Sequence, residues 1–133
     1  MDDQMRIFDP RLIATPVYEA LTKLYKKKTD LQEQKNQAVD LYSYLSTWGM
    51  MRLKAEETKI SGEGKKKVIK AYFECLQELS GKVDLAGTAG LQTITEMEVE
   101  DYLGLTGLGL TLAQEFSFWA TAIYVDVKIT GDK

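Results

Sequence analysis

From Leu110 to Val127 the chain is apolar on nearly every face a helix would present: Leu110, Leu112, Ala113, Phe116, Phe118, Trp119, Ala120, Ala122, Ile123 and Tyr124. A surface helix carries its apolar residues as one stripe. A rod like this has to be wrapped by other elements or handed to a neighbouring chain. Extended back to Tyr102, the same stretch is long enough to span a bilayer. Gln114 and Glu115 near its middle argue against that, because an acidic group at the bilayer centre is strongly unfavourable. The expectation is a buried bundle helix and no membrane contact. Its tail, Tyr124 to Ile129, alternates in the manner of a strand. With no second strand to pair with, a frayed helix end is the expected form.

The other elements read as the wrapping such a rod needs. Val17, Leu24, Leu31, Ala38 and Leu45 recur every seven residues, with Leu21, Lys28, Lys35 and Tyr42 four positions after the first four. That is a heptad stripe with two lysines diluting its middle. Pro10 and Pro16, the only prolines, each follow a good N-cap residue, Asp9 and Thr15. A short turn from Pro10 and a helix from Pro16 are expected. Between Pro16 and Trp48 there is one long amphipathic helix, or a helical hairpin broken near Lys28-Thr29-Asp30. Gly49 is its expected C-cap, though Met50, Met51 and Leu53 suit a continuation.

Ser61-Gly62-Glu63-Gly64 reads as a loop. Lys65 to Ser80 follows as an amphipathic helix with Val68, Tyr72, Cys75, Leu76 and Leu79 on one face, ended by Gly81. Lys82 to Thr95 reads as a connection with one helical turn around Leu91. Thr95 and Glu98 have the spacing of a capping box, with Glu96, Glu100 and Asp101 crowded into the first turns of the helix it would start. The sum is an all-α bundle of about four or five helices, with residues 1–133 as a single helical domain. At 133 residues it is large enough to close a core without disulfides or metal.

Two absences prune the chemistry. The chain has no histidine and one cysteine, Cys75. A His-dependent triad, a His/Cys zinc site and an internal disulfide therefore all fail for want of residues. Cys75 falls on the apolar face beside Tyr72 and Leu79, as a structural thiol would. Neither a phosphate-binding loop nor a nucleophile elbow occurs. Glu96, Glu100 and Asp101 are oxygen donors of the kind a hard cation accepts, but their spacing matches no EF-hand loop and reads as a solvated acidic face. No cofactor, no metal and no enzymatic activity are expected. The acidic N-terminus lacks a signal peptide's basic start and apolar run, so a cytoplasmic protein is expected.

Thr106-Gly107-Leu108-Gly109, followed by Ala113 and Phe116, resembles a helix-hairpin-helix turn over about 15 residues. The resemblance implies a glycine turn whose amides would hold a nucleic-acid phosphate. Leu110 and Leu112 depart from the family's small or basic residues, and the carboxylates nearby would repel a phosphate. The competing expectation is a tight glycine turn between two packed helices.

Charge is divided along the chain. Residues 1–70 carry a net +4 and residues 71–133 a net −7. Lys26, Lys27 and Lys28 form one basic run; Lys65, Lys66, Lys67 and Lys70 form another. Such runs usually cover a solvated helix face. They also suit contact with a phosphate backbone, or with the acidic half of a neighbouring copy. Trp48, Met50, Met51 and Arg52 form a cluster of the residue types that anchor interfaces. Phe116, Phe118 and Trp119 spread over more than one helix face, so at least one is expected to point away from the core. These seven are the expected partner interface.

The functional expectation is a non-catalytic interaction or scaffolding subunit of a larger assembly, bound to a protein partner or to copies of itself. The alternative is sequence-independent binding of a nucleic-acid backbone through the seven lysines. The small helical subunits of RNA-guided nucleoprotein complexes are an analogy for that class.

Overall fold

A computed structural model describes residues 9–128. Among them are six helices and no strand: α1 (Arg11–Lys26), α2 (Leu31–Trp48), α3 (Met50–Lys59), α4 (Glu63–Ser80), α5 (Gly90–Thr95) and α6 (Val99–Ile123). The expected all-α bundle is present, with one helix more than the upper expectation. Ile129, where the alternating tail ends, lies outside the described residues, as do the N-terminal residues up to Phe8.

The helix α6 receives α1, α2 and α4, and α4 also packs on α1 and α2, whereas α1 and α2 share little contact of their own. The order of contacts gives the directions. Tyr124, just after α6, reaches Leu21 near the end of α1 and Gln34 near the start of α2. So α1 and α6 run one way, and α2 the other. Gly64 at the start of α4 meets Asp30 and Glu33 at the start of α2, so α4 runs with α2. The core lies between these four rods and holds Leu21, Leu41, Leu53, Ile69, Tyr72, Phe73, Leu76, Leu112 and Phe116, all fully buried.

The heptad segment divides into α1 and α2, the hairpin alternative. Lys28 and Asp30 in the turn both adopt left-handed backbone, φ 59° and 56°, a conformation unfavourable for residues with a side chain. The diluting lysines take different places. Lys28 is in the turn, with its ammonium 3.9 Å from the centre of the Tyr25 ring. Lys35 is buried and its ammonium donates to the carbonyl of Val127. Gln32 donates to the carbonyl of Lys128 and the Tyr25 hydroxyl to the carboxylate of Asp126. The end of α1 and the start of α2 thus fasten the chain that follows α6.

Four expectations about boundaries are corrected. Helix α1 begins at Arg11, not Pro16, and runs through that proline. Pro16 has no N–H for the Leu12 carbonyl, but both residues line an open groove between α1 and α4 rather than the core. Helix α4 starts inside the expected loop, at Glu63. There Glu33 of α2 accepts from the Gly64 amide at 3.0 Å, so the cap comes from another helix. A Cβ on Gly64 would sit 2.7 Å from the Asp30 carbonyl oxygen, so only glycine allows α4 to start this close to α2. The Thr95–Glu98 capping box does not form. Thr95 ends α5, and its hydroxyl turns back to the Gln92 carbonyl. Beyond Glu98, α6 is continuous for 25 residues through Gly104, Gly107 and Gly109. The helix-hairpin-helix turn is absent, because an unbroken helix engages those amides in its own ladder. The tight-turn expectation fails with it.

Gly109 has a packing role within this helix. A Cβ there would lie 2.6 Å from both the Met50 methyl and the Tyr72 hydroxyl oxygen, and that hydroxyl donates to the Gly109 carbonyl at 2.8 Å. Nothing lies within 4 Å of the corresponding position on Gly104. Gly109→Ala should therefore lower stability by about 1–3 kcal/mol. Gly104→Ala should raise it by about 0.5–1 kcal/mol through helix propensity alone. Thermal or urea unfolding of the two variants checks the pair of opposite signs.

Candidate interaction surface

Three sides of α6 are taken by α1, α2 and α4; the fourth faces solvent. Its exposed positions begin with Leu103 and Gly104 and continue through Gly107, Thr111 and Gln114 to Phe118 and Thr121, ending at Ala122 and, past the helix end, Val125. None of these carries a charge. Between Asp101 and Asp126 the only residue charged at neutral pH is Glu115, and its carboxylate accepts from the Trp119 indole N–H at 3.0 Å. Leu103 is 63% exposed, Phe118 60% and Val125 77%. An outward helix face of this length normally carries Lys, Glu or Arg to stay wet. The bulky residues on this one are apolar instead.

The face continues sideways as an aromatic strip. Phe118 meets Trp119 edge-to-face with ring centres 5.0 Å apart, and Trp119 meets Tyr18 of α1 in the same way at 5.5 Å. Tyr18 is itself exposed. Rigid, partly exposed aromatics offer large contact area for little ordering entropy, which is why they recur at interface centres.

The expected interface residues separate by burial. Phe118, Trp48 and Met51 are exposed, Arg52 is exposed and Trp119 half-buried. Met50 and Phe116 are corrections: both are core residues and offer no surface to a partner. Met50 begins α3 just after Gly49, whose φ of 89° turns the chain and points the Met50 side chain inward, toward Gly109. Phe116 contacts Tyr72 edge-to-face inside the bundle. Trp48 and Arg52 stack across that turn, with the guanidinium carbon 4.2 Å from the ring centre. They lie at the end of α2 near the start of α6, where Tyr102 approaches Gly49. Sequence reasoning missed Leu103, Gln114, Val125 and Tyr18. The missing charge between Asp101 and Asp126 was the signal available for the first three.

The two basic runs do converge. Lys23 and Lys27 of α1 and its C-cap turn share a groove of about 810 Å³ with Lys67 and Lys70 of α4. Glu19, Glu74 and Glu78 line the same groove, so its charge changes sign along its length. Lys26, Lys27, Lys28 and Lys70 are exposed, and Lys65, Lys66 and Lys67 half-buried. Lys66 and Lys70 also border a smaller hollow of about 360 Å³ with Lys54, whose ammonium is buried against Glu57 at 2.7 Å and the Ala86 carbonyl at 3.1 Å.

Cys75 is buried in the α4 face, and burial, with Glu78 and Glu74 adding to it, pushes its thiol up from 9.0 to about 12. Burial also raises the phenols of Tyr72 and Tyr124 above their ordinary 10.0. Among the described residues, no three of His, Cys, Asp and Glu gather as metal ligands, and no helix is long and apolar enough to cross a membrane. Comparison of the chain with protein-family models, with curated proteins and with solved structures finds no match.

The raised groups fix the alkaline behaviour. Unfolded, the thiol ionises near 9.0 and the phenols near 10.0; folded, all three keep their protons to higher pH. The folded chain then holds more protons than the unfolded one, so the contribution of these groups to stability is constant below about pH 8 and is lost as pH rises beyond. Cys75→Ala should move the onset of that fall up toward the tyrosine range. Unfolding midpoints across the alkaline range would show it.

Proposed function

We propose that this chain is a non-catalytic, cytoplasmic interaction subunit that joins a larger assembly through the outer face of α6. The observation that carries the reading is the uncharged exposed face from Leu103 to Val125, with Phe118 standing out of its middle. Contiguous apolar surface on a soluble domain marks a binding surface, and this one rests on a helix held by α1, α2 and α4, so a partner would meet a preformed rod. The want of histidine and the buried, protonated Cys75 support a role without acid–base or thiol chemistry.

A photo-crosslinking residue at Gln114, introduced into the chain in the cells that encode it, tests this reading. The expected result is a covalent adduct heavier than the free chain. The same residue at Lys59, which ends α3 and pairs there with Glu56, should give none. No adduct from Gln114 would sink the proposal.

A second reading has its own support in the convergence of Lys27, Lys67 and Lys70 on one groove. Through it the chain would hold a nucleic-acid backbone without regard to sequence. The reading predicts that labelled RNA or DNA binds at about 50 mM salt and is lost steeply by about 200 mM. Alanine at these three lysines should flatten the salt slope. Absence of binding at the lower salt removes it.

A further inference from the structure

The outer face of α6 has an internal symmetry. Leu103 and Val125 stand eleven residues before and after Gln114, and Gly107 and Thr121 stand seven. Leu103, Gly107, Gln114 and Thr121 are exposed on one side of the helix, and Val125 is exposed just past its end. Two such faces laid antiparallel, with a twofold axis at Gln114, set Leu103 of each copy against Val125 of the other. Phe118 lies four residues past the axis, so its ring meets the small Thr111 and Gly107 of the other copy. The two Gln114 amides meet on the axis, where each has both a donor and an acceptor to offer. A twofold pairing needs a patch that complements itself, and an uncharged patch brings no like charges together on the axis.

The ends of the molecule carry the complementary charge. Where α6 starts, Glu96, Glu98 and Glu100 are exposed, and Asp101 beside them pairs with Lys82 at 3.5 Å, so the end keeps a net negative charge. Where it stops, Lys128 is exposed, and so are Lys26, Lys27 and Lys28 beside it, because α1 and α6 run in the same direction and finish together. Of the acids at the basic end, Asp126 accepts from Tyr25 and Glu33 from the Gly64 amide, while Asp30 and Glu63 are exposed among four exposed lysines. Antiparallel pairing lays the acidic end of each copy along the basic end of the other, twice per dimer. Parallel pairing would oppose like with like, and the helix dipoles favour the antiparallel arrangement too.

We infer that the occupant of this face is a second copy of the same chain, in an antiparallel homodimer built on α6. The inference rests on the interaction reading above and names its partner. Glycine at 104 and 107, which lowers helix propensity with no neighbour within 4 Å to require it, then has a reason. It lets the second rod approach the backbone.

Sedimentation equilibrium of the purified chain from about 1 μM to about 1 mM tests the inference. The expected result is a mass rising from 15.0 kDa toward twice that value. Phe118→Glu should weaken association by at least about tenfold. Gly107→Leu should do the same while melting no lower than the parent, since its side chain enters open space and favours helix. Glu100→Lys should weaken pairing, and adding Lys27→Glu and Lys28→Glu should restore it. A strict monomer at the highest concentration overturns the inference, and so does a dimer indifferent to Phe118→Glu and Gly107→Leu. The mass of the Gln114 adduct separates the two levels. An adduct of two chains supports self-pairing. An adduct with a different protein overturns it while leaving the interaction reading standing. No adduct at all removes both.

Discussion

Because α6 is gripped on three sides by α1, α2 and α4, the side chains of Leu112, Ala113, Phe116 and Ala120 leave water completely, and the remaining elements are arranged around that burial. Full burial of Leu112 or Phe116 is worth about 1.5–3 kcal/mol each. The grip requires close approach, which Gly109 provides by letting the Tyr72 hydroxyl and the Met50 methyl reach the α6 backbone. At the far end Tyr124 performs the matching task. Its hydroxyl donates to Gln34 at 2.6 Å, and Gln34 donates in turn to the Thr29 carbonyl at 2.9 Å. The rod is thus held near both ends by polar contacts that leave few buried groups unmatched, and along its middle by packing.

Having three neighbours rather than four leaves α6 a free side, and that free side is where function is argued. A helix fully enclosed would have been a core element only. A helix with a charged outer face would have been an ordinary bundle wall. This one combines a fixed position with an outer face free of charge. Exposed carboxylates cluster where it starts, and Lys26, Lys27, Lys28 and Lys128 stand exposed where it stops. Association and orientation therefore rest on different residues: apolar contact at Phe118 and Leu103, and steering by the charged ends.

Much of the architecture was legible in the chain, for physical reasons that can be named. The all-round apolarity after Leu110 demanded burial, and the heptad spacing from Val17 to Leu45 demanded helices with one apolar side. What misled was local chemistry overruled by packing. Gly107 and Gly109 have the spacing of a turn, yet the helix runs through them, because the apolar residues on either side gain more by sharing one continuous rod. Thr95 and Glu98 have the spacing of a capping box, but α5 occupies Thr95 first. Pro16 reads as a helix start, while Asp9, which accepts from the Arg11 amide at 3.0 Å, begins the helix a turn and a half sooner. For the surface, a residue list by type brought Met50 and Phe116 into the interface. Only the fold separates them from Phe118 and Trp119, which lie within three residues of Phe116 on other sides of the same helix.

Distances between spin labels across the pair test the central claim most directly. Cysteine is introduced at Leu103, at Gln114 or at Val125 in turn, each label reporting only on its own counterpart in the second copy; the buried, protonated Cys75 reacts little. An antiparallel pairing on α6 predicts a short separation at 114, about 33 Å at 103 from the rise per residue, and a similarly long separation at 125, just past the helix end. Equal short separations at all three sites, or no dipolar coupling at 114, would contradict it.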